Sequence, residues 1–267
     1  MRKLTIYDWF GMVIPMPEKY RLIKAAGFDG VMTWWGGDDK WGDDYKQNPA
    51  LARAQGLFVE NAHAPFDTVN NLWLDNLESE AYADDLIRYA GELAQIGIPT
   101  MIVHVSNGYD PPPVCQLGID RLKRLTATAE THKINVAVEN LRRGDYTAAV
   151  FGAISSPYLK FCYDSGHNNY VDRNSNYLGM YGNKLAALHL HDNDGTTDQH
   201  LAPMDGTADW PLIARRIKDT GYTGAVALEV FCGEGKLPRD TASELLAYAH
   251  ERAVRVRELL NGPTATA

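Results

Sequence analysis

The chain has 267 residues, of which 45% are hydrophobic and 22% are charged, a composition typical of a globular protein with one sizeable core. Its formal net charge of -8 at pH 7 disfavours nonspecific attraction to a polyanion such as nucleic acid. Three scattered cysteines without C-x-x-C spacing argue against a disulfide framework and fit a reducing cytoplasm. No stretch approaches the roughly 20 apolar residues of a spanning helix, and the N-terminus lacks the apolar run of a signal peptide. We therefore expect a soluble, cytoplasmic protein.

Short β-branched or apolar runs alternate with longer helical patterns along the chain, which is typical of βα units around a parallel sheet. The predicted strands are residues 4 to 9, 28 to 34, 57 to 63, 100 to 105, 134 to 140, 159 to 164, 185 to 191 and 225 to 231. The clearest helical patterns between them are residues 18 to 27, 79 to 97, 118 to 132 and 209 to 221. Several helices should end at a glycine in a left-handed cap, namely Gly27, Gly56, Gly97 and Gly221.

Eight such units in a chain of this length predict an α/β fold, a single-domain (β/α)8 TIM barrel. An open, doubly wound sheet is the competing fold, but it more often has a glycine-rich phosphate turn after the first strand, and IYDWFGM is not one. We predict one barrel domain over residues 1 to 262 and a disordered tail over residues 263 to 267.

The ends of the predicted strands carry the most informative side chains, because the carboxyl ends of barrel strands form the active site. From the third strand to the eighth, the residues at or near these ends are His63, His104, Glu139, Asp164, His189 and Glu229. A hydrogen-bonded polar core is the alternative, but six consecutive ligand types favour a metal centre. A carboxylate and imidazole set without thiolates suits Mn²⁺, Mg²⁺, Co²⁺ or Zn²⁺.

The segment HLHDNDGTTDQH, residues 189 to 200, holds six side chains that can bind a metal and almost nothing apolar. Charged and imidazole groups at this density are costly to bury, so the segment is either a solvated loop or one that a cation organises. We interpret His189 as a strand-end ligand and the remainder as the loop that leaves the strand. By strand alternation we expect His191 to face away from the barrel interior unless the strand has already ended, and we place it outside the metal shell.

These motifs resemble those of the xylose isomerase-like barrel superfamily, whose members include sugar isomerases, ketose 3-epimerases, inosose dehydratases and endonuclease IV. The resemblance covers nearly the whole chain and rests on VENL around Glu139, YDSGH from Tyr163 to His167, HLHDNDGTTDQH, PMDGTADW, and LEV around Glu229. It implies one divalent ion, held by Glu139, Asp164, His189 and Glu229, with the two glutamates also moving protons.

This ligand set predicts a definite chemistry. A divalent ion can bind two adjacent oxygens of a hydroxy-ketone and stabilise the enediolate that forms when the carbon-bound proton leaves. Two carboxylates can remove and return that proton. We therefore predict a metal-dependent isomerase or epimerase of a sugar or sugar phosphate, with a keto-polyol dehydratase as an alternative that uses the same enediolate. Members of the superfamily are often dimers or tetramers, so the resemblance also implies a homo-oligomer.

The resemblance leaves a second alternative, an endonuclease IV-like zinc phosphodiesterase. Endonuclease IV uses three zinc ions, and ligand types at the matching positions add further metal or substrate-binding candidates: His63, His104, His167, Asp198 and His200. The loop after the seventh strand also lacks the arginine with which typical ketose 3-epimerases contact substrate. Loops that straddle DNA should supply cations. Instead, WWGGDDKWGDDY after the second strand has four aspartates and one lysine, which favours a small sugar over nucleic acid.

Two weaker signals concern substrate contacts. Trp34 and Trp35 end the second strand, and aromatic rings at a barrel mouth stack on sugars about as often as they seal the core. After the eighth strand, CGEGKLPR offers glycines and Lys236 for a phosphate pocket. A flexible surface loop is the alternative for that segment.

Overall fold

A computed structural model describes residues 1–36, 45–231 and 241–262 as eight parallel strands surrounded by helices. The strands are β1 Leu4–Tyr7, β2 Gly30–Trp34, β3 Phe58–His63, β4 Thr100–Val103, β5 Asn135–Glu139, β6 Leu159–Asp164, β7 Leu185–His189 and β8 Val226–Leu228. Their order in the sheet is β7-β6-β5-β4-β3-β2-β1-β8. A bridge between Leu190 and Leu228 joins the two end strands. The prediction of a single-domain (β/α)8 barrel is therefore confirmed.

The helices described in these ranges cover the outside of the barrel. They are α1 Met16–Ala25, α2 Asn48–Ala54, α3 Leu77–Gln95, α4 Gln116–His132, α5 Gly144–Ala153, α6 Ser165–Val171, α7 Tyr177–Tyr181, α8 Trp210–Asp219 and α9 Ala242–Asn261. Short 3-10 turns lie at Tyr45–Gln47, Val69–Trp73 and Gly182–Lys184. Within the described residues, none of these helices is long and apolar enough to cross a membrane.

The helix ends follow local sequence signals. Asn76 accepts a hydrogen bond from Ser79 N at the start of α3, and Thr241 forms a reciprocal capping box with Glu244 at the start of α9, because side-chain oxygens satisfy the first free N–H groups of a helix. The four predicted cap glycines have positive φ angles, from 72° at Gly97 to 102° at Gly27. These angles confirm the predicted left-handed caps.

Four small or medium side chains form a separate buried cluster: Ile102, Ala137, Cys162 and Ala187. They come from neighbouring strands, as the pairs Ile102 with Ala137 and Cys162 with Ala187 show. Because side chains two positions apart on a strand share a face, the residues two positions further along lie on the same side: His104, Glu139, Asp164 and His189. Strand alternation thus sets these four candidate ligands directly above a floor of small side chains.

Candidate active site

The six predicted strand-end residues come together at the carboxyl end of the barrel. Five of them are buried and Glu229 is partly buried, and the side chains point towards one another. Glu139 lies at the centre of the group. Its Oε2 is 3.4 Å from His63 Nε2, 3.3 Å from His104 Nε2 and 3.2 Å from His189 Nδ1. One carboxylate oxygen at the end of β5 therefore faces three histidine nitrogens, from residues at or just after the ends of β3, β4 and β7.

Two sets of ligand atoms at this centre are close enough together to hold a cation. The first set is Glu139, Asp164, His189 and Glu229, and the second is His63, Glu139 and His189; within each set the ligand atoms lie within 4.8 Å of one another. Glu139 Oε2 and His189 Nδ1 are buried and lie 3.2 Å apart, yet none of their contacts with the described residues has hydrogen-bond geometry. Buried polar atoms are rarely left unpaired, so the oxygen and nitrogen donors of this set fit a divalent ion.

Charge at this centre is strongly coupled. Burial raises the pKa of the Glu139 carboxyl, but the opposing effect of His189 and His104 is larger. The pKa of Glu139 therefore lies well below its ordinary value. Burial likewise raises the pKa of Glu229, while His189 lowers it to about 2. Both glutamates are therefore ionised at neutral pH and can accept a proton. Burial lowers the pKa of His104 to about 4, against the opposing effect of Glu139, so this imidazole is neutral and able to bind a metal.

His189, unlike His104, has a raised pKa. Burial lowers its pKa, but the Cys162 sulfur and the carboxylates of Glu229 and Glu139 raise it well above the ordinary value. Its Nδ1 lies 3.1 Å from Glu229 Oε2 and 3.2 Å from Glu139 Oε2. In the metal-free protein this imidazole therefore carries a proton that a cation would have to displace.

A second cluster lies beside the first and is built on Asp198. Asp198 Oδ2 is 3.1 Å from His167 Nε2, and Oδ1 is 3.4 Å from His200 Nε2. Burial raises the pKa of Asp198, but the contacts with His167 and His200 lower it far more. Ligand atoms of His191, Asp198 and His200 also lie within 4.8 Å of one another. Asp198 thus lies between His167 and His200 and contacts both rings.

His191 faces the barrel interior, and the expectation that it would face away is wrong. It is fully buried, and its Nε2 lies 3.0 Å from Asp164 Oδ1. Its ring stacks on that of His200, with 3.9 Å between ring centroids and an angle of 11°. Residues two apart share a strand face, so His191 continues on the side where His189 points. The same spacing in the sequence could have revealed it.

Asp192 organises the loop that carries Asp198 and His200. Its carboxylate is fully buried and accepts four hydrogen bonds. Oδ1 accepts from Asn193 N at 2.8 Å and from Ala208 N at 3.0 Å. Oδ2 accepts from Met204 N at 3.1 Å and from Trp210 Nε1 at 2.7 Å. Asp192 is therefore a structural residue of the dense acidic segment, because its oxygens are occupied by the backbone and the indole.

Asp164 combines two roles at the end of β6. Its side chain caps α6, since Oδ1 accepts a hydrogen bond from His167 N at 2.7 Å. The YDSGH motif thus joins a strand-end carboxylate to a helix start within four residues. The helix in turn places the His167 ring, whose Nδ1 lies 3.2 Å from Glu139 Oε1.

A cavity of about 410 Å³ opens above this centre, a volume typical of small-molecule sites. Glu139 and Glu229 line it, as do all five additional candidates: His63, His104, His167, Asp198 and His200. Asp164 and His189 are not among the lining residues. The two glutamates therefore face the cavity while the other two residues of their set lie behind them.

The two tryptophans that the sequence offers as substrate contacts have different surroundings. Trp34 lines the cavity, stacks on His63 at 5.8 Å and has a buried indole N–H without a hydrogen-bond partner among the described residues. Trp35 is buried, and its Nε1 donates to Glu92 Oε2 at 3.1 Å. Adjacent residues in extended chain point to opposite sides, so Trp35 points away from the cavity that Trp34 lines. We therefore no longer count Trp35 as a candidate substrate contact. Lys236 lies outside the described residues.

Several cavity residues were not predicted from the sequence. Arg142 lines the cavity three residues after Glu139, Phe66 stacks on His104 at 4.3 Å, and Lys19 reaches the wall from α1. Asp8 follows β1, lines the cavity and accepts a hydrogen bond from Tyr20 Oη at 2.8 Å. The position of Asp8 near the end of the predicted first strand was the available signal, whereas Lys19 lies on a helix and offered none.

Comparison with known proteins identifies the family. Residues 20–252 match the family described as the xylose isomerase-like TIM barrel. The chain belongs to this family. The resemblance inferred from the sequence motifs is thereby confirmed, and the eight-stranded barrel described above is the fold that the family name denotes.

Individual relatives of this xylose isomerase-like barrel include sugar epimerases. Fructoselysine 3-epimerase of Escherichia coli O157:H7 is 26% identical over 92% of this chain and 94% of its own length. The uncharacterized protein y4fM of Sinorhizobium fredii is 31% identical over 62% of this chain, and the match spans 57% of that relative's length. The structure of D-allulose 3-epimerase from Methylomonas sp. in complex with D-allulose has a TM-score of 0.72 at 17% identity and covers 97% of both chains.

Proposed function

We propose that this xylose isomerase-like barrel is a divalent-metal-dependent isomerase or epimerase of a sugar or sugar phosphate. The observation that carries the proposal is the buried set of Glu139, Asp164, His189 and Glu229, whose ligand atoms lie within 4.8 Å of one another. Two members of this set, Glu139 and Glu229, also line the cavity. Carboxylates that can both hold a cation and touch substrate are suited to proton transfer at a carbon beside a carbonyl.

In this proposal the two glutamates move the proton. Their low pKa values keep both ionised before substrate binds, so either can act as the base that takes the carbon-bound proton. The other glutamate would first take a proton from solvent and then give it to the opposite face of the carbon, and the base would return its proton to solvent after product leaves. A divalent ion held by the four residues would supply positive charge to stabilise the negative charge that develops on adjacent substrate oxygens. His63 and Trp34, stacked on each other, would form one wall against the carbon face of the sugar.

The relatives support the same chemistry. Fructoselysine 3-epimerase is similar along almost the whole chain, and a D-psicose 3-epimerase of Enterocloster bolteae is 26% identical over 50% of it. Epimerisation at a carbon beside a ketone requires removal and return of one proton, for which paired carboxylates are suited.

Metal content is the first quantity to measure, by mass spectrometry on protein purified without chelator or added metal. We expect about one exchangeable Mn, Mg or Co ion per chain for the single-centre enzyme. Two or three tightly held zinc ions would instead support phosphodiester hydrolysis, to be assayed as incision of a duplex with an abasic site.

Solvent deuterium exchange tests the proton transfer. Wild-type protein loaded with Mn²⁺ should introduce deuterium from D₂O into a ketohexose beside its carbonyl, as detected by mass spectrometry across a panel of ketohexoses and their phosphates. Glu139→Gln and Glu229→Gln should each reduce the exchange rate by at least about 100-fold, the usual minimum for loss of a general acid or base. Glu130→Gln, at an exposed position of α4, is the matched control. Wild-type exchange in both active-site variants would refute the mechanism, and loss of water from the substrate would indicate the dehydratase.

A further inference from the structure

Arg142 brings a guanidinium group to the cavity wall, in the loop between β5 and α5. Its side chain is 24% exposed. The guanidinium carbon lies 5.9 Å from the ring centroid of Tyr109 and 5.6 Å from that of Tyr170. Contacts between guanidinium and aromatic faces restrict the orientation of the planar group. These aromatic contacts help to hold Arg142 in position and leave its N–H donors free for other partners.

Within residues 1–36, 45–231 and 241–262, most of the Arg142 N–H donors have no protein acceptor. The guanidinium makes one hydrogen bond there, from Nη2 to Asp198 Oδ2 at the long distance of 3.4 Å. That oxygen is closer to His167 Nε2, at 3.1 Å. A guanidinium has five donors in a planar fork, so several are available to a ligand. Next to it, the hydroxyl of Tyr170 is buried and has no hydrogen-bond partner among the described residues.

We propose that Arg142 selects substrates that carry an anionic group, either a carboxylate or a phosphate, on the sugar chain. The planar fork matches two oxygens of either group, and such charge-assisted pairs are stronger than neutral hydrogen bonds. Asp198 does not occupy the fork, because its Oδ2 is closer to His167 Nε2, at 3.1 Å, than to Arg142 Nη2, at 3.4 Å, and its Oδ1 faces His200 Nε2. The inference rests on the proposed function in treating the cavity as a sugar site, and it names the class of sugar.

Binding of unreactive ligands tests this inference separately from catalysis. D-gluconate, D-glucitol 6-phosphate and neutral D-glucitol have the same carbon chain length and neither a ketone nor an aldehyde, so an isomerase or epimerase cannot convert them. Their Kd values are measured by calorimetry on the purified protein, with metal content determined for each variant. The variants are Arg142→Gln, Arg142→Lys and Arg143→Gln. Arg143 is the matched control, because its guanidinium is bound to Asp145 at 3.0 and 2.8 Å.

We expect at least one anionic ligand to bind wild type at least about tenfold more tightly than D-glucitol, a difference of about 1.4 kcal/mol. Arg142→Gln should abolish this preference, Arg142→Lys should retain part of it, and Arg143→Gln should leave it unchanged. Preference for D-gluconate would identify a sugar acid, and preference for D-glucitol 6-phosphate a sugar phosphate. The inference is overturned if wild type does not distinguish the three ligands, including by binding none of them. It is also overturned if the preference survives in Arg142→Gln, which would assign it to Lys19 or a metal. A failed deuterium-exchange assay with intact anion selection would refute only the proposed catalysis.

Discussion

Asp192→Asn should destabilise the protein strongly although it changes one atom. The asparagine oxygen can keep the two hydrogen bonds from Asn193 N and Ala208 N, but its NH₂ group must then face Met204 N and Trp210 Nε1, which are both donors. Each hydrogen bond to a charged group contributes about 1.5–3 kcal/mol. Loss of two predicts a decrease in the free energy of unfolding of about 3–6 kcal/mol.

Equilibrium unfolding in urea, followed by tryptophan fluorescence, measures this decrease. For a chain of this size, about 3 kcal/mol corresponds to a fall in Tm of at least about 6 °C. Asp194→Asn is the control in the same loop. Its amide oxygen can still accept from Thr196 N, and because Asp194 is exposed, water can replace the hydrogen bond that Oδ2 accepts from Gln199 Nε2. Its effect should stay within about 0.5 kcal/mol. Equal urea midpoints for the two variants would refute the assignment of Asp192 as the residue that organises the loop.

Two further predictions concern the histidines. A methyl group at Gly166 would overlap the buried ring of His191, so Gly166→Ala should lower the free energy of unfolding by about 1–3 kcal/mol. The control Gly152→Ala on α5 has open space around it and should raise that free energy by about 0.5–1 kcal/mol. Equal urea midpoints for the two variants would contradict this packing. The raised pKa of His189 keeps it protonated at pH 7, whereas a metal ligand must be unprotonated. Binding of Mn²⁺ should therefore release about one proton. The Kd for Mn²⁺ should fall about tenfold for each unit by which the pH is raised, until the pH passes the pKa of His189. Calorimetry in two buffers of different ionisation enthalpy measures the release, His132→Gln should not alter it, and binding without proton release would contradict the raised pKa.

The fold and the convergence of the strand-end side chains could be predicted because both follow from regular periodicity. Alternation of strand and helix patterns indicates a barrel, and a barrel brings its strand ends to one place. Glu139, Asp164 and His189 therefore converge although they lie far apart in the sequence. Neither inference requires knowledge of a loop conformation.

The remainder of the site depends on loop geometry, which periodicity does not encode. Asp192 and Asp198 have the same side chain in one loop, yet Asp192 binds backbone N–H groups and an indole while Asp198 lies between two histidines. Arg142 and Arg143 are neighbours, but one lines the cavity and the other pairs with Asp145. Only the path of the backbone distinguishes such pairs.

The weak pairing between β7 and β8 means that the proposed ion would also affect the stability of the barrel. These strands meet through one bridge, with hydrogen bonds from Leu190 N to Ala227 O and from Glu229 N to Leu190 O, whereas β6 and β7 are paired at four positions. His189 and Glu229 lie on opposite sides of this short junction, 3.1 Å apart. A cation bound by both would cross-link the first and last strands of the sheet, so the protein would keep its barrel closed with the same ion that serves its chemistry.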